Sequence, residues 1–396
     1  MAEKFRGALE GLKLIELGQL IAGPFCGQLM GDHGAEVIKV EQPGVGDPMR
    51  HWGQTRALWW PIVGRNKKSI TLNLREPKGQ EILKRLVLDA DFVLENFRPG
   101  TMERWGLGYD VLSEINPKLI MIRVSGYGQT GPYASKAGYG GIGEAMGGLR
   151  NLTGDPSTPP SRVGISIGDS LAATFACLGA LMALREREIS GRGQVVDSAI
   201  YEAVLAMMES TVAEYTESGV TRERTGSFLP KIAPSNVYPT SDGELLIGAN
   251  QDSVFARFSK AMGQPDLATD QRFCSHQARG EHQKELDDMI ADWTRGFTTA
   301  DLLTLLDEHG IPSGKIYKAP DMLEDPQFQA REALVHVPHP EFKNLVMQNV
   351  FPKMSKTPGE IRWPAPPLGA HNDEIYGQGL GLGEAELKDL EKEGII

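Results

Sequence analysis

Patterns typical of strands and of helices alternate through the first part of the chain, and this alternation restricts the fold more than any other feature. Short runs rich in β-branched and other apolar residues predict strands over residues 13–17, 35–41, 69–74, 92–94 and 119–124. Helices are predicted between them at 24–32 and 77–88, each opened by a proline. This order is typical of a parallel sheet with helices on both faces. The sequence therefore predicts an α/β fold.

The rest of the chain predicts a second and smaller domain. A polar, turn-like stretch near residues 219–225 ends the first pattern, which continues up to it with strand 194–198 and helix 200–215. Beyond it the predicted elements are strand 243–249 and helices 253–262, 281–293, 299–309 and 384–393. The predicted division is a large domain over 1–225, a smaller α/β domain over 226–325 and a return to the large domain over 326–396.

The composition argues against several classes of protein. Of the 396 residues, 40% are hydrophobic and 23% are charged, which is ordinary for a soluble globular chain. A formal net charge of −11 argues against a nucleic-acid partner, because proteins that bind nucleic acid usually carry a basic face. Three cysteines are too few for a disulfide framework or a metal cluster, so no bound metal is expected. Cys26 and Cys177 lie in apolar surroundings that predict small core residues.

The expected location is the cytoplasm. The first residues, Met1 to Gly7, lack the apolar core of a signal peptide. No uninterrupted apolar run approaches the length needed to span a bilayer, so no membrane partner is expected.

Asp169 is the residue whose role bears most on function. It stands between a strand-like run, residues 162–168, and an apolar run, residues 171–184, that predicts a helix with almost no polar face. Such a helix is expected inside a large protein. A carboxylate at its start is either a helix cap, since aspartate is among the best N-cap residues, or a nucleophile held in a dry pocket. Position alone favours the cap.

A GxGxxG motif follows the strand predicted at 119–124. Residues 126–131 read GYGQTG, but Pro132 to Ser135 follow where a dinucleotide site needs a helix to begin. No acidic residue ends a second strand at the required distance. The glycines are therefore predicted to form a turn, and an NAD-dependent dehydrogenase is disfavoured.

Two other features suggest ligand contacts, and each has a structural alternative. Glu41 ends the second predicted strand, where an acid often binds a ribose hydroxyl, and it is equally able to pair with Lys39 or Arg50. The basic residues 65–68 are either a site for a small anion or a solvated turn.

Several motifs follow one another in a fixed order. They are Leu20-Ile21-Ala22-Gly23-Pro24, GAEVIKVE (34–41), GDPMR (46–50), NKKSI (66–70), ENFRPG (95–100), Gly126-Tyr127-Gly128 and Gly168-Asp169. In this order and spacing the series resembles the family III CoA-transferases, a group that includes formyl-CoA:oxalate CoA-transferase and carnitine CoA-transferase. The resemblance extends from near residue 10 to His371 and so covers nearly the whole chain.

The resemblance implies a Rossmann-like large domain built from both ends of the chain, a smaller domain, and an interlocked homodimer of two ring-like subunits. It also implies that Asp169 is the nucleophile. Its carboxylate would attack an acyl-CoA thioester to give an aspartyl anhydride, and the CoA thiolate would return to form an aspartyl-CoA thioester. An acceptor carboxylic acid would then reverse these steps. Acyl-CoA and carboxylic acid are the substrates, and no permanently bound cofactor is required.

The resemblance also implies a CoA site. The residues at the matching positions are Gln19, Ala22, Gln42, Leu72, Arg75, Asn96, Phe97, Arg98, Arg104, Lys136 and Tyr139. Arginine suits this role because its planar fork binds two phosphate oxygens at once. Gln42 stands where some relatives have arginine, so one contact is expected to be weaker. For Arg104 the alternative is a surface ion pair with Glu103 or Asp110.

Two departures from the family pattern bear on the activity. The α-methylacyl-CoA racemase branch carries a histidine in the segment matching 139–143, but this chain has none between His51 and His276, which disfavours a racemase or epimerase. The glycine-rich loop of the oxalate enzyme is replaced by residues 229–234, so oxalate is not the expected substrate. Lys231 in that segment is either an exposed loop lysine or a partner for a carboxylate of the acyl group.

The overall likeness is to members of the family that use succinyl-CoA and dicarboxylic acids such as glutarate, malate, citramalate or mesaconate. The predicted function is therefore transfer of CoA from an acyl-CoA to a carboxylic acid. A non-catalytic acyl-CoA-binding protein is the alternative from another class of function, and it predicts that Asp169→Ala changes neither CoA affinity nor any cellular role.

Overall fold

The computed structural model describes residues 7–396, which fall into two compact units. Of the described residues, the large unit contains 7–150, 163–218 and 329–396. The small unit contains residues 151–162 and 219–328. The large unit is thus built from both ends of the chain. The domain boundaries drawn from the sequence, at 225/226 and 325/326, stay predictions.

A six-stranded parallel sheet runs through the large unit and confirms the predicted α/β class. Its strands are β1 (Lys13–Glu16), β2 (Glu36–Glu41), β3 (Lys67–Thr71), β4 (Phe92–Glu95), β5 (Ile120–Ser125) and β6 (Val195–Ala199). Their order is β3-β2-β1-β4-β5-β6, and each neighbouring pair is parallel. The order reverses between β1 and β4. In open sheets of this kind, ligands bind beside such a reversal, at the carboxyl ends of the strands.

The helices follow the strands along the chain. They are α1 (Pro24–Asp32), α2 (Trp59–Val63), α3 (Pro77–Val87), α4 (Thr101–Arg104), α5 (Tyr109–Ile115), α6 (Gly140–Met146), α7 (Leu149–Leu152), α8 (Ile167–Ser190), α9 (Ile200–Leu205), α10 (Thr211–Ser218), α11 (Asp252–Ala261), α12 (His276–Glu281), α13 (Gln283–Thr294), α14 (Thr299–Glu308), α15 (Ala319–Glu324), α16 (Pro326–Ala330) and α17 (Glu384–Lys392). Short 3₁₀ helices cover Pro48–His51 and Pro265–Ala268, and a π-helix covers Asp373–Gly379.

Both faces of the sheet are buried, each in its own core cluster. Successive residues of a strand point to opposite sides, so neighbours on one strand belong to different clusters. Ile15 of β1 and Val93 of β4 belong to a core cluster shared with α3 and α17. Their neighbours Leu14 and Phe92 belong to a second cluster shared with α1 and α8. Cys26 of α1 is buried in that second cluster, as the sequence predicted. In these two central strands Leu14 and Ile15, and Phe92 to Leu94, are consecutive apolar residues, which is the pattern of a covered parallel sheet.

Helix α8 differs from its prediction in two respects. The strand-like run before it is not a strand, and the helix begins at Ile167. The helix is not buried all round: its alanines, such as Ala176 and Ala180, pack into the core, whereas Met182 and Ile189 are exposed. Alanine permits a close approach to the sheet, so the larger apolar side chains occupy the opposite face. By length and composition alone this helix is long and apolar enough to cross a membrane, a property that core helices share. It is not an uninterrupted apolar run, and the expectation of no membrane partner stays a prediction.

Two other element boundaries also differ from prediction. The single helix predicted over 200–215 is divided into α9 and α10, and Glu209 between them has a left-handed φ of 49°. The strand predicted over 69–74 is instead β3, which begins at Lys67. A lysine is accommodated in this buried strand because its charge is paired inside the core with Glu16.

The small unit has its own sheet and core. Strands β7 (Ser235–Pro239), β8 (Glu244–Gly248) and β9 (Ser313–Lys315) form an antiparallel sheet in the order β7-β8-β9. Its core includes Tyr238, Phe255, Phe258 and Leu286. In the last part of the large unit, β10 (Leu334–His336) and β11 (Val346–Gln348) form an antiparallel pair.

Candidate active site

A cavity of about 280 Å³ opens at the carboxyl ends of β1, β2, β3 and β4, beside the reversal in strand order. The residues that line it are Leu17, Gln19, Val40, Glu41, Gln42, Leu72, Asn73, Leu74, Arg75, Phe97, Arg98, Thr101 and Trp105. Six of these were predicted to bind CoA: Gln19, Gln42, Leu72, Arg75, Phe97 and Arg98. They come from four separate loops, and parallel pairing brings those loops to one edge of the sheet.

The lining combines an aromatic wall with two exposed cations. Phe97 and Trp105 pack edge to face, with ring centroids 5.3 Å apart. The guanidinium groups of Arg75 and Arg98 donate no hydrogen bond to any residue in 7–396, so they are available to an anionic ligand. The sequence analysis did not identify Trp105, although its position directly after Arg104, a predicted CoA residue, could have indicated a place in the site. Aromatic rings and unpaired guanidinium groups are the groups that bind a flat ring and phosphate.

Asn96 positions the first loop instead of lining the cavity. Its Oδ1 accepts a hydrogen bond of 2.8 Å from the Gln19 backbone N–H, and its Nδ2 donates to the Gln19 carbonyl at 2.8 Å. Gly18 permits this approach, because a β-carbon there would lie 3.2 Å from Asn96 Oδ1. Both hydrogen-bonding ends of the amide are thus used to fix Gln19.

The remaining predicted CoA residues lie outside the cavity lining, and their roles stay predictions. Ala22 is buried in the core cluster that includes α1. Arg104 donates from Nη2 to Thr101 Oγ1 at 2.9 Å. It does not pair with Glu103 or Asp110, so the ion-pair alternative was wrong; Glu103 pairs with Arg123 instead.

Lys136 and Tyr139 lie in the segment that leads from β5 to α6. The Lys136 ammonium is 3.5 Å from the centroid of the Tyr133 ring, a cation–π contact at the surface. Tyr139 is exposed and stands at the N-cap of α6, directly before Gly140.

A buried charge network supports the loop that carries Gln19. The Lys39 ammonium lies 2.8 Å from Asp47 and 3.4 Å from Glu16, and it donates to the Gly18 carbonyl. Asp47 also accepts from the backbone N–H of Leu20, whose φ of 63° is left-handed. Burial raises the pKa of the Asp47 carboxyl, but the charge and hydrogen bond of Lys39 outweigh it and hold the pKa below its usual value. The network therefore fixes a strained turn beside the cavity.

Glu41 is held by Arg50, which is one of the two pairings that the sequence allowed. Nε and Nη2 of Arg50 each donate to one Glu41 oxygen at 2.7 Å, the bidentate geometry of a strong pair. Burial raises the pKa of Glu41, but the hydrogen bonds from Arg50 and Ser69 and the charge of Lys39 outweigh it and lower the pKa.

Neither interpretation of the basic residues 65–68 was right. Arg65 is buried against Asp32, and Lys67 is buried against Glu16. Lys68 pairs with Glu36 and Glu374. All three charges are neutralised inside the fold, so they form neither an anion site nor a solvated turn.

Asp169 is the third residue of α8, and Ser166 stands at the N-cap. The interpretation of Asp169 as a plain helix cap was therefore wrong. Its carboxylate lies against Gly140, the first residue of α6: a β-carbon added there would lie 2.7 Å from Asp169 Cγ, 2.9 Å from Oδ1 and closer still to Oδ2. Residue 140 must be glycine for the carboxylate to occupy this place. Here α6 and α8 bring their N-termini together.

Glu144 of α6 is a buried carboxylate beside this junction. The backbone N–H of Gly168 is 3.5 Å from its Oε1, and Arg150 donates from Nε to its Oε2 at 3.1 Å. A β-carbon on Gly168 would lie 3.1 Å from Glu144 Cγ and 3.1 Å from the Gly140 carbonyl. Sequence reasoning missed both Glu144 and Arg150, since neither belongs to a motif that predicted chemistry.

The GxGxxG residues form turns, as predicted. Gly128 and Gly131 have left-handed φ values of 85° and 86°, and the next helix begins only at Gly140. A β-carbon on Gly126 would lie 2.8 Å from Gly138 Cα, so these glycines bring the chain close together before α6. Within residues 7–396 no group of three histidine, cysteine or acidic side chains has the arrangement of a metal site.

Comparison with known proteins identifies the family. The profile of CoA-transferase family III matches residues 9–372. The chain is 59% identical over 393 residues to succinyl-CoA–D-citramalate CoA-transferase of Chloroflexus aurantiacus, with 98% of each chain covered. It is 34% identical over 394 residues to succinate–glutarate CoA-transferase of Agrobacterium fabrum, with 97% of this chain and 96% of that one covered. A CAIB/BAIF family protein from Brucella suis matches with a TM-score of 0.84 at 33% identity, covering 94% of this chain and 99% of that chain.

The chain therefore belongs to CoA-transferase family III, and its activity is that of a CoA-transferase. CoA thioesters are the substrates of this class of enzyme.

Proposed function

We propose that the enzyme transfers CoA from an acyl-CoA to a carboxylic acid by covalent catalysis on Asp169. The carboxylate attacks the thioester carbonyl, the C–S bond breaks, and an acyl-aspartyl anhydride and CoA thiolate form. The thiolate attacks the aspartyl carbonyl of the anhydride, which releases the first carboxylic acid and leaves an aspartyl-CoA thioester. The acceptor carboxylate then attacks that thioester, and the returning thiolate converts the acceptor acyl group into the new acyl-CoA.

The setting of Asp169 is the observation that carries this proposal. A carboxylate is a weak nucleophile, so it must be partly desolvated and held in one orientation. Asp169 is half-buried in the first turn of α8 and packs against the backbone of Gly140. Backbone N–H groups of a helix N-terminus can stabilise the oxyanion that forms on the attacked carbonyl.

The cavity at the sheet edge is the proposed site for the nucleotide part of CoA. Arg75 and Arg98 supply charge for phosphate, and Phe97 and Trp105 supply an apolar wall for a ring. Gln19, which Asn96 fixes by two hydrogen bonds, lies at the rim. Arg104, Lys136 and Tyr139 are proposed to contact CoA on the path from this cavity toward Asp169.

The proposed donor is succinyl-CoA and the proposed acceptor is a dicarboxylic acid of the citramalate or glutarate type. Support comes from the relatives at 59% and 34% identity, whose names specify these substrates. A racemase or epimerase and a non-catalytic CoA-binding protein are not favoured by these relatives.

We also propose that the enzyme acts in the cytoplasm as a homodimer whose subunits interlock. Apolar side chains on α8 and α10, among them Met182, Ile189, Val212 and Tyr215, are exposed in the single chain. Several large apolar side chains exposed on two helices favour burial against another protein surface. Light scattering at several protein concentrations tests the dimer, and a monomeric mass at all of them would contradict it.

Trapping of the intermediate tests the mechanism. The protein is incubated with succinyl-CoA or another acyl-CoA and then with hydroxylamine, which converts an activated aspartyl group to a hydroxamate. Peptide mass spectrometry should find the hydroxamate on Asp169 and not on Asp197. Asp169→Asn should bind CoA but form no adduct and show no turnover. Turnover with an active donor and no adduct on Asp169 would refute the covalent mechanism.

A further inference from the structure

We infer that Arg150 binds the second carboxylate of the dicarboxylic substrates, and that Glu144 positions it for this purpose. The inference rests on the proposed function, because it assumes that the reacting carbonyl is attacked by Asp169. It adds a residue that selects substrates by charge at the end remote from the bond that reacts.

Arg150 lies beside the backbone against which Asp169 rests. A β-carbon on Gly140 would overlap the Asp169 carboxylate, and a β-carbon on the next residue, Gly141, would lie 3.4 Å from Arg150 Nη2. The carboxylate and the guanidinium therefore flank two successive glycines at the start of α6. A four- or five-carbon dicarboxylate places its two carboxyl carbons a few bonds apart, so one end can be at Asp169 while the other reaches the arginine.

The pairing of Arg150 leaves most of its donors unused. It binds Glu144 through Nε, at 3.1 Å, and its Nη groups donate no hydrogen bond within residues 7–396. In contrast, Arg50 binds Glu41 through both Nε and Nη2, and Arg65 binds Asp32 through the same two nitrogens. Those two arginines are fully used in structural pairs. Arg150 keeps the end of its fork available for a second carboxylate.

Exposure differs between the two members of the pair. The Glu144 side chain is 1% exposed, whereas that of Arg150 is 29% exposed. Glu144 is anchored from the other side, since its Oε1 faces the backbone N–H of Gly168 at the start of α8. The buried acid thus fixes the inner edge of the guanidinium relative to the helix that carries Asp169. The outer edge remains accessible to a ligand.

Arginine is the residue expected for this task. Its charge does not depend on pH in the working range, and its planar fork matches a carboxylate in a bidentate manner. A charge-assisted hydrogen bond contributes about 1.5–3 kcal/mol, so loss of this contact should weaken the binding of a dicarboxylate by about 10- to 100-fold. A monocarboxylate lacks the group that Arg150 binds, so its binding should not weaken.

Steady-state kinetics with matched acids test the inference. Arg150→Met and Arg150→Lys are compared with wild type, using glutarate and the monocarboxylate valerate as acceptors and succinyl-CoA and butyryl-CoA as donors. Arg150→Met should lower kcat/KM for glutarate by 10- to 100-fold, chiefly through KM, and leave valerate unchanged or improved. Arg150→Lys should fall between, since it keeps the charge and loses the fork. Arg295→Met, which breaks a surface pair with Asp292 in the small unit, is the control and should change neither acid.

Two outcomes would overturn the inference: equal losses for both acids with Arg150→Met, or no loss for glutarate with that variant. In the second case, a glutarate loss with Lys231→Met would assign the contact to Lys231 instead. If the wild-type enzyme rejects every monocarboxylate, the KM for glutarate is compared with the inhibition constant of free CoA. A rise in the first by tenfold with the second unchanged supports the inference, and parallel or absent changes refute it. Failure of the proposed function is seen separately, as absence of an Asp169 hydroxamate in wild type.

Discussion

The carboxylate of Asp169 fills the volume that a side chain of residue 140 would occupy, so it lies directly against Gly140. The β-carbon of any other residue would come within 3 Å of Cγ and both oxygens of Asp169. The two residues are 29 positions apart, and the N-termini of α6 and α8 bring them together. The orientation of Asp169, the proposed nucleophile, therefore depends on the absence of a side chain at position 140 of a different helix.

Gly140→Ala should impair catalysis with little effect on CoA binding. The added methyl group must displace the Asp169 carboxylate, and a misplacement near 1 Å can lower the rate by about 100-fold. The measurement is kcat for transfer together with the inhibition constant of free CoA. Gly164→Ala is the matched control, because a β-carbon at that position meets no atom within 4 Å and its φ is not left-handed. Equal kcat values for Gly140→Ala and wild type would contradict this account of Asp169.

Arg75→Ala and Arg98→Ala should weaken CoA selectively. Both side chains line the cavity at the sheet edge, and neither is engaged within residues 7–396, so their loss removes ligand contacts without breaking a structural pair. Each should raise the Kd of CoA by about 10- to 100-fold, as expected for a charge-assisted contact.

The matched comparison for these two variants is made with acyl-pantetheine donors, which lack the nucleotide. Turnover of such a donor should be the same for wild type and both variants. A loss of equal size with acyl-CoA and acyl-pantetheine would mean that the arginines do not act on the nucleotide.

Asp47→Asn should both destabilise the folded protein and weaken its binding of CoA. It leaves the Lys39 ammonium buried without its closest acid, and breaking a buried ion pair typically costs about 3–5 kcal/mol. The Leu20 turn and the Gln19 backbone depend on this network, so the inhibition constant of CoA should also rise. The urea midpoint measures the stability change.

Asp89→Asn is the control for Asp47→Asn, because it removes an exposed ion pair with Lys13. Loss of such a pair should change stability by less than about 1 kcal/mol. Comparable midpoints for the two variants would show that the network around Lys39 contributes no more than a surface pair.

Glu41 should contribute to loss of stability in acid. Its pKa is lowered in the folded protein, so below its unfolded value, near 4.5, the unfolded state binds the proton more readily. The contribution is complete above that pH and is lost as the pH falls from 4.5 through the folded pKa. Glu41→Gln should be less stable than wild type at neutral pH and should show a shallower decline in melting temperature between about pH 5 and 3. Parallel curves would contradict the pKa direction.

Elements whose pattern repeats locally were predicted closely. Helix α1 was predicted at its observed bounds, and β2 and α3 were predicted within one residue at each end. Proline at the helix starts and apolar runs in the strands act on neighbouring residues, so the sequence contains the whole signal. The prediction of a single helix over 200–215 was wrong because Glu209 adopts a left-handed φ, which no local sequence pattern indicates.

The sequence by itself determined the α/β class, the family and the candidate nucleophile, because strand and helix periodicity is local and a series of motifs can be compared in order. The tertiary structure decided which charges are available to a ligand. Lys67 and Arg98 are both basic residues in family motifs. Lys67 forms a buried ion pair with Glu16, whereas Arg98 lines the cavity. It also decided that Asp169 is not the N-cap of α8, that its carboxylate lies against Gly140, and that Glu144 of α6 faces the backbone N–H of Gly168. These relations join residues far apart in the chain, and only packing of the helices on the sheet brings them together.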